Sequence, residues 1–68
     1  MDFHIYKILL MDFPGATEFE HNLTLYDLFK YKYVTSRTLT QELIDMKVGE
    51  RILSSSPEGA GIYIVRTN

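Results

Sequence analysis

The chain has 68 residues, a net charge of -2 and no cysteine. A chain of this length buries only about 60% of the surface that its unfolded state exposes, so we expect residues 1–68 to form a single domain with a small core. The lack of cysteine excludes disulfides, thiolate metal sites and cysteine nucleophiles, and it favours a cytoplasmic location. The weak net charge does not suggest a DNA mimic or a general nucleic-acid coat. No segment approaches the roughly 20 apolar residues of a membrane span, so no membrane partner is expected.

Large, adaptable side chains are abundant, with five tyrosines, four phenylalanines and three methionines. A small core does not easily enclose them all, so some are expected at the surface. Tyrosine and methionine favour the centres of protein interfaces, which indicates a binding protein. The alternative is that half-buried tyrosines cover the core with their hydroxyl groups in water.

The first predicted element is a strand from Phe3 to Phe13. Its odd-numbered positions form an apolar face that Lys7 alone interrupts, and its residue types favour strands. A helix is the alternative, because several large apolar residues also share one side at helical spacing. These residues are Phe3, Tyr6, Leu10 and Phe13.

Pro14 and Gly15 end this element. The sequence Phe-Pro-Gly-Ala is typical of a type II turn, in which Gly15 would supply the positive φ. A second, edge strand is predicted over 16–22, where Glu18 and Glu20 would hinder pairing with other strands.

Two helices are predicted next. The first begins at about Leu25, because Thr24 and Asp27 have the spacing of a capping box. Its buried stripe would consist of Leu25, Leu28 and Phe29. A strand over 29–35 is the rival interpretation, since tyrosines and lysines alternate there.

The second helix has a capping box formed by Thr38 and Gln41, and Gly49 ends it. Its apolar residues at helical spacing are Leu39, Leu43 and Met46, with Ile44 beside them. Two β-rich runs, 51–54 and 62–67, then predict a hairpin around a loop of serine, proline and glycine. The order of elements predicts an α+β domain, a small antiparallel sheet of three to four strands with two helices packed on one face.

The stretch 29–37, FKYKYVTSR, interleaves basic and aromatic residues. The basic residues would neutralise phosphates while the tyrosines stack on unpaired bases, as in proteins that bind single-stranded nucleic acid. The predicted nucleic-acid-binding residues are Lys30, Lys32 and Arg37, with Tyr31 and Tyr33 as the stacking rings. The alternative is the solvated end of a helix, where positive charge is favourable in itself.

Two helices followed by a glycine-containing hairpin resemble the winged-helix layout over roughly the last two thirds of the chain. The resemblance implies that the second helix enters the major groove of DNA and that the hairpin is the wing. The exposed side of that helix carries Gln41, Glu42 and Asp45, and the two acids would repel phosphate. The hairpin loop also lacks a basic residue.

No catalytic residue, metal site or cofactor is predicted. The two histidines, His4 and His21, have acidic residues between them, but neither a zinc-type spacing nor a calcium loop is present. The serines at 54–56 have no motif that would supply a base. A domain this thin also has little room for a concave pocket with converging groups, so an enzyme is not expected.

These observations favour a non-catalytic protein-binding module or regulator, which would occupy a surface of a larger protein or of a second copy of itself. The predicted partner-binding residues are Tyr26, Tyr31, Tyr33 and Tyr63. In size and layout the chain is similar to bacteriophage accessory proteins that bind host enzymes. Nucleic-acid binding through the stretch 29–37 is the alternative function.

Overall fold

A computed structural model describes residues 4–12 and 14–68 of the chain. The elements in this part are β1 (Tyr6–Asp12), β2 (Gly15–Leu23), α1 (Leu25–Lys30), α2 (Arg37–Asp45), β3 (Arg51–Ser55) and β4 (Gly61–Arg66). The strands form one antiparallel four-stranded sheet in the order β2-β1-β4-β3. The predicted α+β class is therefore confirmed, and the first element is a strand. The ends of that predicted strand, Phe3 and Phe13, lie outside the described residues.

The core lies between one face of the sheet and the two helices. Ile8 and Ile64, on the even-numbered side of the two central strands, are fully buried there with Leu28 of α1 and Leu43 of α2. The other members of the core are Tyr6, Leu23, Tyr33, Val34, Met46 and Ile62. Because side chains alternate along a strand, the odd-numbered residues of β1 point to the opposite face of the sheet.

The predicted second strand is confirmed as an edge strand, and it extends over Gly15–Leu23. Its pairing with β1 is irregular, with register shifts on either side of Ile8. The predicted type II turn is wrong, because Gly15 does not have a positive φ. Gly15 instead pairs with Asp12, and Phe13, the first residue of the predicted turn, lies outside the described residues.

The capping box that begins α1 is confirmed. The side chain of Thr24 accepts a hydrogen bond from the backbone N–H of Asp27, and the Asp27 carboxylate accepts one from the N–H of Thr24. The helix ends at Lys30, and a turn follows in which Lys32 has a φ of 64°. The rival strand over 29–35 is therefore wrong.

The capping box predicted for α2 is also wrong. Ser36 caps this helix, and its Oγ accepts the N–H of Leu39 at 3.1 Å. Gln41 is directed instead to the next turn, where its side-chain amide donates to both carboxylate oxygens of Asp45. The helix ends at Asp45, and Gly49, with a φ of 91°, lies in the following turn. Neither helix in the described ranges is long and apolar enough to cross a membrane.

Candidate interaction surface

The sheet face opposite the helices, which we call the open face, exposes apolar side chains away from the core. It carries the odd-numbered side chains of β1, β3 and β4, together with Glu18 of β2. The strand register places Leu9, Tyr63 and Leu53 side by side in one row across the face. The next row consists of Lys7, Val65 and Arg51.

Two large apolar side chains of the open face are exposed to water, as are several apolar side chains elsewhere on the surface. Leu53 is 61% exposed and Met11 is 47% exposed. Val65, by contrast, is only 9% exposed in the row between Lys7 and Arg51. Single exposed apolar residues are normal on protein surfaces, whereas a continuous apolar patch bordered by charges is typical of an interaction site.

Tyr63 lies at the centre of this face. The Arg51 guanidinium lies over its ring, 4.7 Å from the ring centroid. Such a contact keeps both side chains in place, and tyrosine and arginine are the residue types that contribute most to protein interfaces. Tyr63 is thus the predicted partner-binding residue that lies on the open face, and Arg51 is a neighbour that sequence reasoning missed.

The two edges of the sheet differ in their capacity to pair with another strand. On the β2 edge, the irregular register and the φ of 56° at Asn22 disturb the backbone, and Glu18 and Glu20 add charge. These acids do lie on an edge strand, as predicted. The β2 edge is therefore poorly suited to pairing with another strand.

The β3 edge is regular. Arg66 N–H donates to the Glu50 carbonyl at 3.1 Å, which fixes the alternation of hydrogen bonds between β3 and β4. By this alternation, the backbone N–H and C=O groups of the odd-numbered residues, Arg51, Leu53 and Ser55, point away from the sheet. The β3 edge therefore presents unpaired backbone groups beside the open face.

The other three predicted partner-binding tyrosines lie on the helical side. Tyr26 is 71% exposed and Tyr31 is 48% exposed, so both remain accessible. Tyr33 is only 8% exposed and belongs to the core. Burial raises the pKa of Tyr33, and the charges of Glu20 and Glu58 raise it further. The structure therefore does not bring the four tyrosines together, and their partner-binding role stays a prediction.

The basic residues of the stretch 29–37 surround the connection between the helices. Lys30, Lys32 and Arg37 are all exposed, and the ammonium of Lys30 lies 5.8 Å from the centroid of the Tyr31 ring. An open depression of about 420 Å³ lies beside them. It is lined by Phe29, Thr35, Ser36, Arg37, Thr40 and Gln41. Only one of these lining residues is basic, and Tyr33, the second predicted stacking ring, is buried.

The two histidines lie in separate environments. His4 Nε2 lies 3.0 Å from the Ile44 carbonyl, so His4 contacts the end of α2. His21 Nδ1 lies 3.4 Å from Glu18 on the β2 edge. Within residues 4–12 and 14–68, no three histidine or carboxylate side chains form a group that could hold a metal ion.

Comparison of the chain with known protein families, curated proteins and solved structures returns no match. Any functional proposal for this chain therefore depends on its own surfaces.

Proposed function

We propose that this protein is a small non-catalytic binding module that acts by covering a surface of a protein with its open face. The observation that carries the proposal is the row of Leu9, Tyr63 and Leu53, apolar side chains on the side of the sheet away from the core. A regulatory role, such as bacteriophage accessory proteins have toward host enzymes, and a cytoplasmic location are part of the same proposal.

The open face has the composition of an interface centre with a charged border. Burial of Leu53 and Met11 against a partner would supply about 25 cal/mol for each Å² of apolar surface removed from water. Tyr63 at the centre and Arg51 on the edge strand β3 would add directional contacts, and the charges of Lys7 and Glu18 would select the orientation of the partner. The β3 edge beside this face would supply backbone hydrogen bonds to an extended segment.

Matched substitutions on the two sides of the sheet test this proposal. Tagged protein is used as bait in lysate of the native host, and the proteins recovered are quantified by mass spectrometry. We expect Leu53→Glu to reduce recovery of a specific partner at least about tenfold, because a charge placed within the interface must be desolvated. Tyr26→Glu changes an equally accessible residue on the helical side and should leave recovery unchanged.

Both variants must keep the far-ultraviolet circular dichroism of the unmodified protein, since each changes an exposed side chain. Equal recovery with the Leu53→Glu bait would contradict binding through the open face. A drop in recovery with the Tyr26→Glu bait alone would place the interface on the helical side.

Nucleic-acid binding is the second candidate, and the exposure of Lys30, Lys32 and Arg37 around the start of α2 favours it. The winged-helix layout also places the start of the second helix at the base edges of DNA. Glu42 and Asp45, further along α2, weigh against it because both are exposed acids.

The salt dependence of binding tests the second candidate. Affinity for single-stranded and duplex oligonucleotides is measured by fluorescence anisotropy over a range of salt concentrations. Alanine at all three basic positions, Lys30, Lys32 and Arg37, should lower the slope of log K against log salt by about 0.7 to 0.9 for each phosphate that the protein no longer neutralises. An unchanged slope would remove this surface from consideration, and Lys47→Ala, an exposed lysine beyond the end of α2, is the matched control.

A further inference from the structure

We infer that the β3 edge binds an extended segment of the partner as a fifth, antiparallel strand, with a lysine or arginine of that segment opposite Ile52. The inference rests on the proposed function, since it names the part of the partner that meets the sheet beside the open face. Its basis is the set of outward-pointing backbone groups on β3, together with a depression that residues of β3 and α2 line.

The backbone of β3 offers hydrogen-bonding groups to another strand. Arg51, Leu53 and Ser55 direct their N–H and C=O groups away from β4, because the hydrogen bonds to β4 use the even-numbered residues. Among the described residues, no strand lies beyond β3 in the sheet. Each of the three residues would exchange two hydrogen bonds with the residue opposite it in an antiparallel strand. An extended peptide backbone is the ligand that satisfies such groups.

The depression lies where one side chain of the added strand would point. It has a volume of about 310 Å³, and its lining residues are Glu42, Asp45, Met46, Glu50, Arg51 and Ile52. Ile52 packs against the core, so its side chain lies on the helical side of the sheet. Residues directly opposite each other on antiparallel strands have their side chains on the same face, about 5 Å apart. The side chain opposite Ile52 would therefore enter this depression.

Three lining residues of the depression are acids, and their charges favour a basic side chain. None of the three forms an ion pair with another described residue. The Asp45 carboxylate accepts hydrogen bonds from the Gln41 amide, which is neutral. One oxygen of Glu50 accepts the backbone N–H of Lys47. A lysine or arginine opposite Ile52 would lay its aliphatic stem on that residue and bring its cation to the carboxylates.

Three cations of the chain lie in or beside the residues of the depression. Arg51 belongs to the lining, but its guanidinium lies over the Tyr63 ring on the open face, 4.7 Å from the ring centroid. Arg66 Nη1 donates to the Met46 carbonyl at 2.6 Å. Lys47 is exposed in the turn after α2. None of these cations forms an ion pair with the acids of the depression, so a cation of the partner has carboxylates to meet.

A second copy of the chain fits this edge less well than a basic segment does. Two β3 strands related by a two-fold axis pair all of their outward-pointing groups only when Leu53 lies opposite Leu53. Ser54 then lies opposite Ile52, and its side chain is too short to fill the depression. The acids of both copies would also lie on the same face of the combined sheet, on either side of the axis.

Synthetic peptides test the inference directly. The probe is a short fluorescein-labelled peptide, Val-Thr-Val-Lys-Val-Thr-Val, and fluorescence anisotropy measures its dissociation constant. We expect this constant to rise at least about tenfold when glutamate replaces the central lysine, because like charges then meet at the depression. Leucine in the same place keeps an apolar stem without the cation, and it should give an intermediate constant.

Backbone methylation of the peptide separates strand pairing from charge attraction. In the antiparallel pair, the N–H groups of the two valines beside the lysine point to β3, whereas the N–H of the lysine points to solvent. N-methylation of these two valines should weaken binding at least about tenfold, and N-methylation of the lysine should change it less than about threefold. Equal effects of the two methylations would contradict pairing with β3.

Two exposed acids form a matched pair of protein variants. Glu42→Lys changes the charge at the depression, and it should reduce the preference for the lysine peptide over the glutamate peptide at least about threefold. Glu58→Lys makes the same change in the loop before β4 and should leave this preference unchanged. Both variants should keep the far-ultraviolet circular dichroism of the unmodified protein, because both residues are exposed.

A lysine peptide that does not bind at millimolar concentration would overturn the inference, as would equal affinities for the lysine and glutamate peptides. A dimer of the chain that Leu53→Pro dissociates would also overturn it, because proline removes an outward-pointing N–H and a second copy would then occupy the edge. Loss of a captured partner with Leu53→Glu, without peptide binding, would keep the proposed function and refute pairing at β3. Peptide binding with unchanged capture would refute the open face alone.

Discussion

At the scale of single residues, Tyr6 links the sheet to the second helix. Its side chain is fully buried, and its hydroxyl donates a hydrogen bond of 2.7 Å to the carbonyl of Leu43 in α2. Burial raises the pKa of Tyr6, while the positive charge of Arg66 opposes part of this effect. The phenol is therefore held in its neutral, donating form.

We expect Tyr6→Phe to lower the free energy of unfolding by about 1 kcal/mol, because it removes a buried hydrogen bond. The Leu43 carbonyl keeps the N–H of Met46 at 3.4 Å as a second donor, which limits the cost. Urea unfolding followed by circular dichroism measures the change. Tyr63→Phe on the open face removes a hydroxyl outside the core and should change stability by less than about 0.5 kcal/mol.

The pH dependence of the unfolding free energy tests the burial of Tyr6 independently. An unfolded chain releases the tyrosine proton near pH 10.0, whereas folded Tyr6 retains it to higher pH. The stability associated with this raised pKa is complete below about pH 10 and is lost as the pH rises through the folded value. Unfolding free energies should therefore fall above about pH 10, and less steeply in Tyr6→Phe. A slope identical to that of the unmodified protein would contradict this role for Tyr6.

At the scale of elements, the start of α2 depends on a single side chain. The Oγ of Ser36 accepts the N–H of Leu39, so Ser36→Ala should destabilise the protein by about 1 kcal/mol. Thr38→Ala changes an exposed helical residue whose side chain does not cap the helix, and it should alter stability by less than about 0.5 kcal/mol. Thermal and urea unfolding compare the two, and a larger destabilisation by Thr38→Ala would disprove the observed cap.

The capping box wrongly predicted for α2 shows that residue spacing alone does not determine where a helix begins. Thr38 and Gln41 have the same spacing as Thr24 and Asp27, yet only the latter pair forms a capping box. Ser36 lies two residues before Thr38, and it was an equally suitable cap by residue type. The packing of Leu39 and Leu43 against the sheet decides where α2 begins, and this depends on contacts between distant parts of the chain.

The two hairpins differ in how much of their structure the sequence predicted. The β3–β4 hairpin was predictable because its strands are β-rich and its loop contains serine, proline and glycine. The irregular register of β2 was not, because no residue type in Gly15–Leu23 identifies the positions at which its register shifts. Leu23 is the one residue of β2 that is buried. This edge strand therefore shows no alternation of buried and exposed residues from which its register could be predicted.

At the scale of the whole molecule, the protein has a core on one side of a sheet and an apolar face on the other. Cysteine is absent, so no disulfide compensates for the small core. Leu53 and Met11 nevertheless remain exposed to water. Association through the open face would bury these residues. A partner that binds only the folded state would then raise the free energy of unfolding as its concentration increases.

Local patterns and composition determined part of this architecture by themselves. The approximate places of both helices, the α+β class and the exclusion of thiol chemistry follow from them, whereas a helix for the first element and a strand over 29–35 stayed open as alternatives. Local patterns suffice here because capping, turn formation and periodicity act over a few residues.

Only the tertiary structure decided which surfaces are covered. Alternation singled out the odd-numbered side of β1 as its apolar face, but the even-numbered side, with Tyr6 and Ile8, packs against the helices, because the strand carries apolar residues on both faces. Tyr33 belongs to the core and Tyr63 to the open face, although both are tyrosines in short apolar stretches. The physical reason is that burial depends on strand pairing and helix docking between residues far apart in the chain, which one-dimensional patterns do not contain.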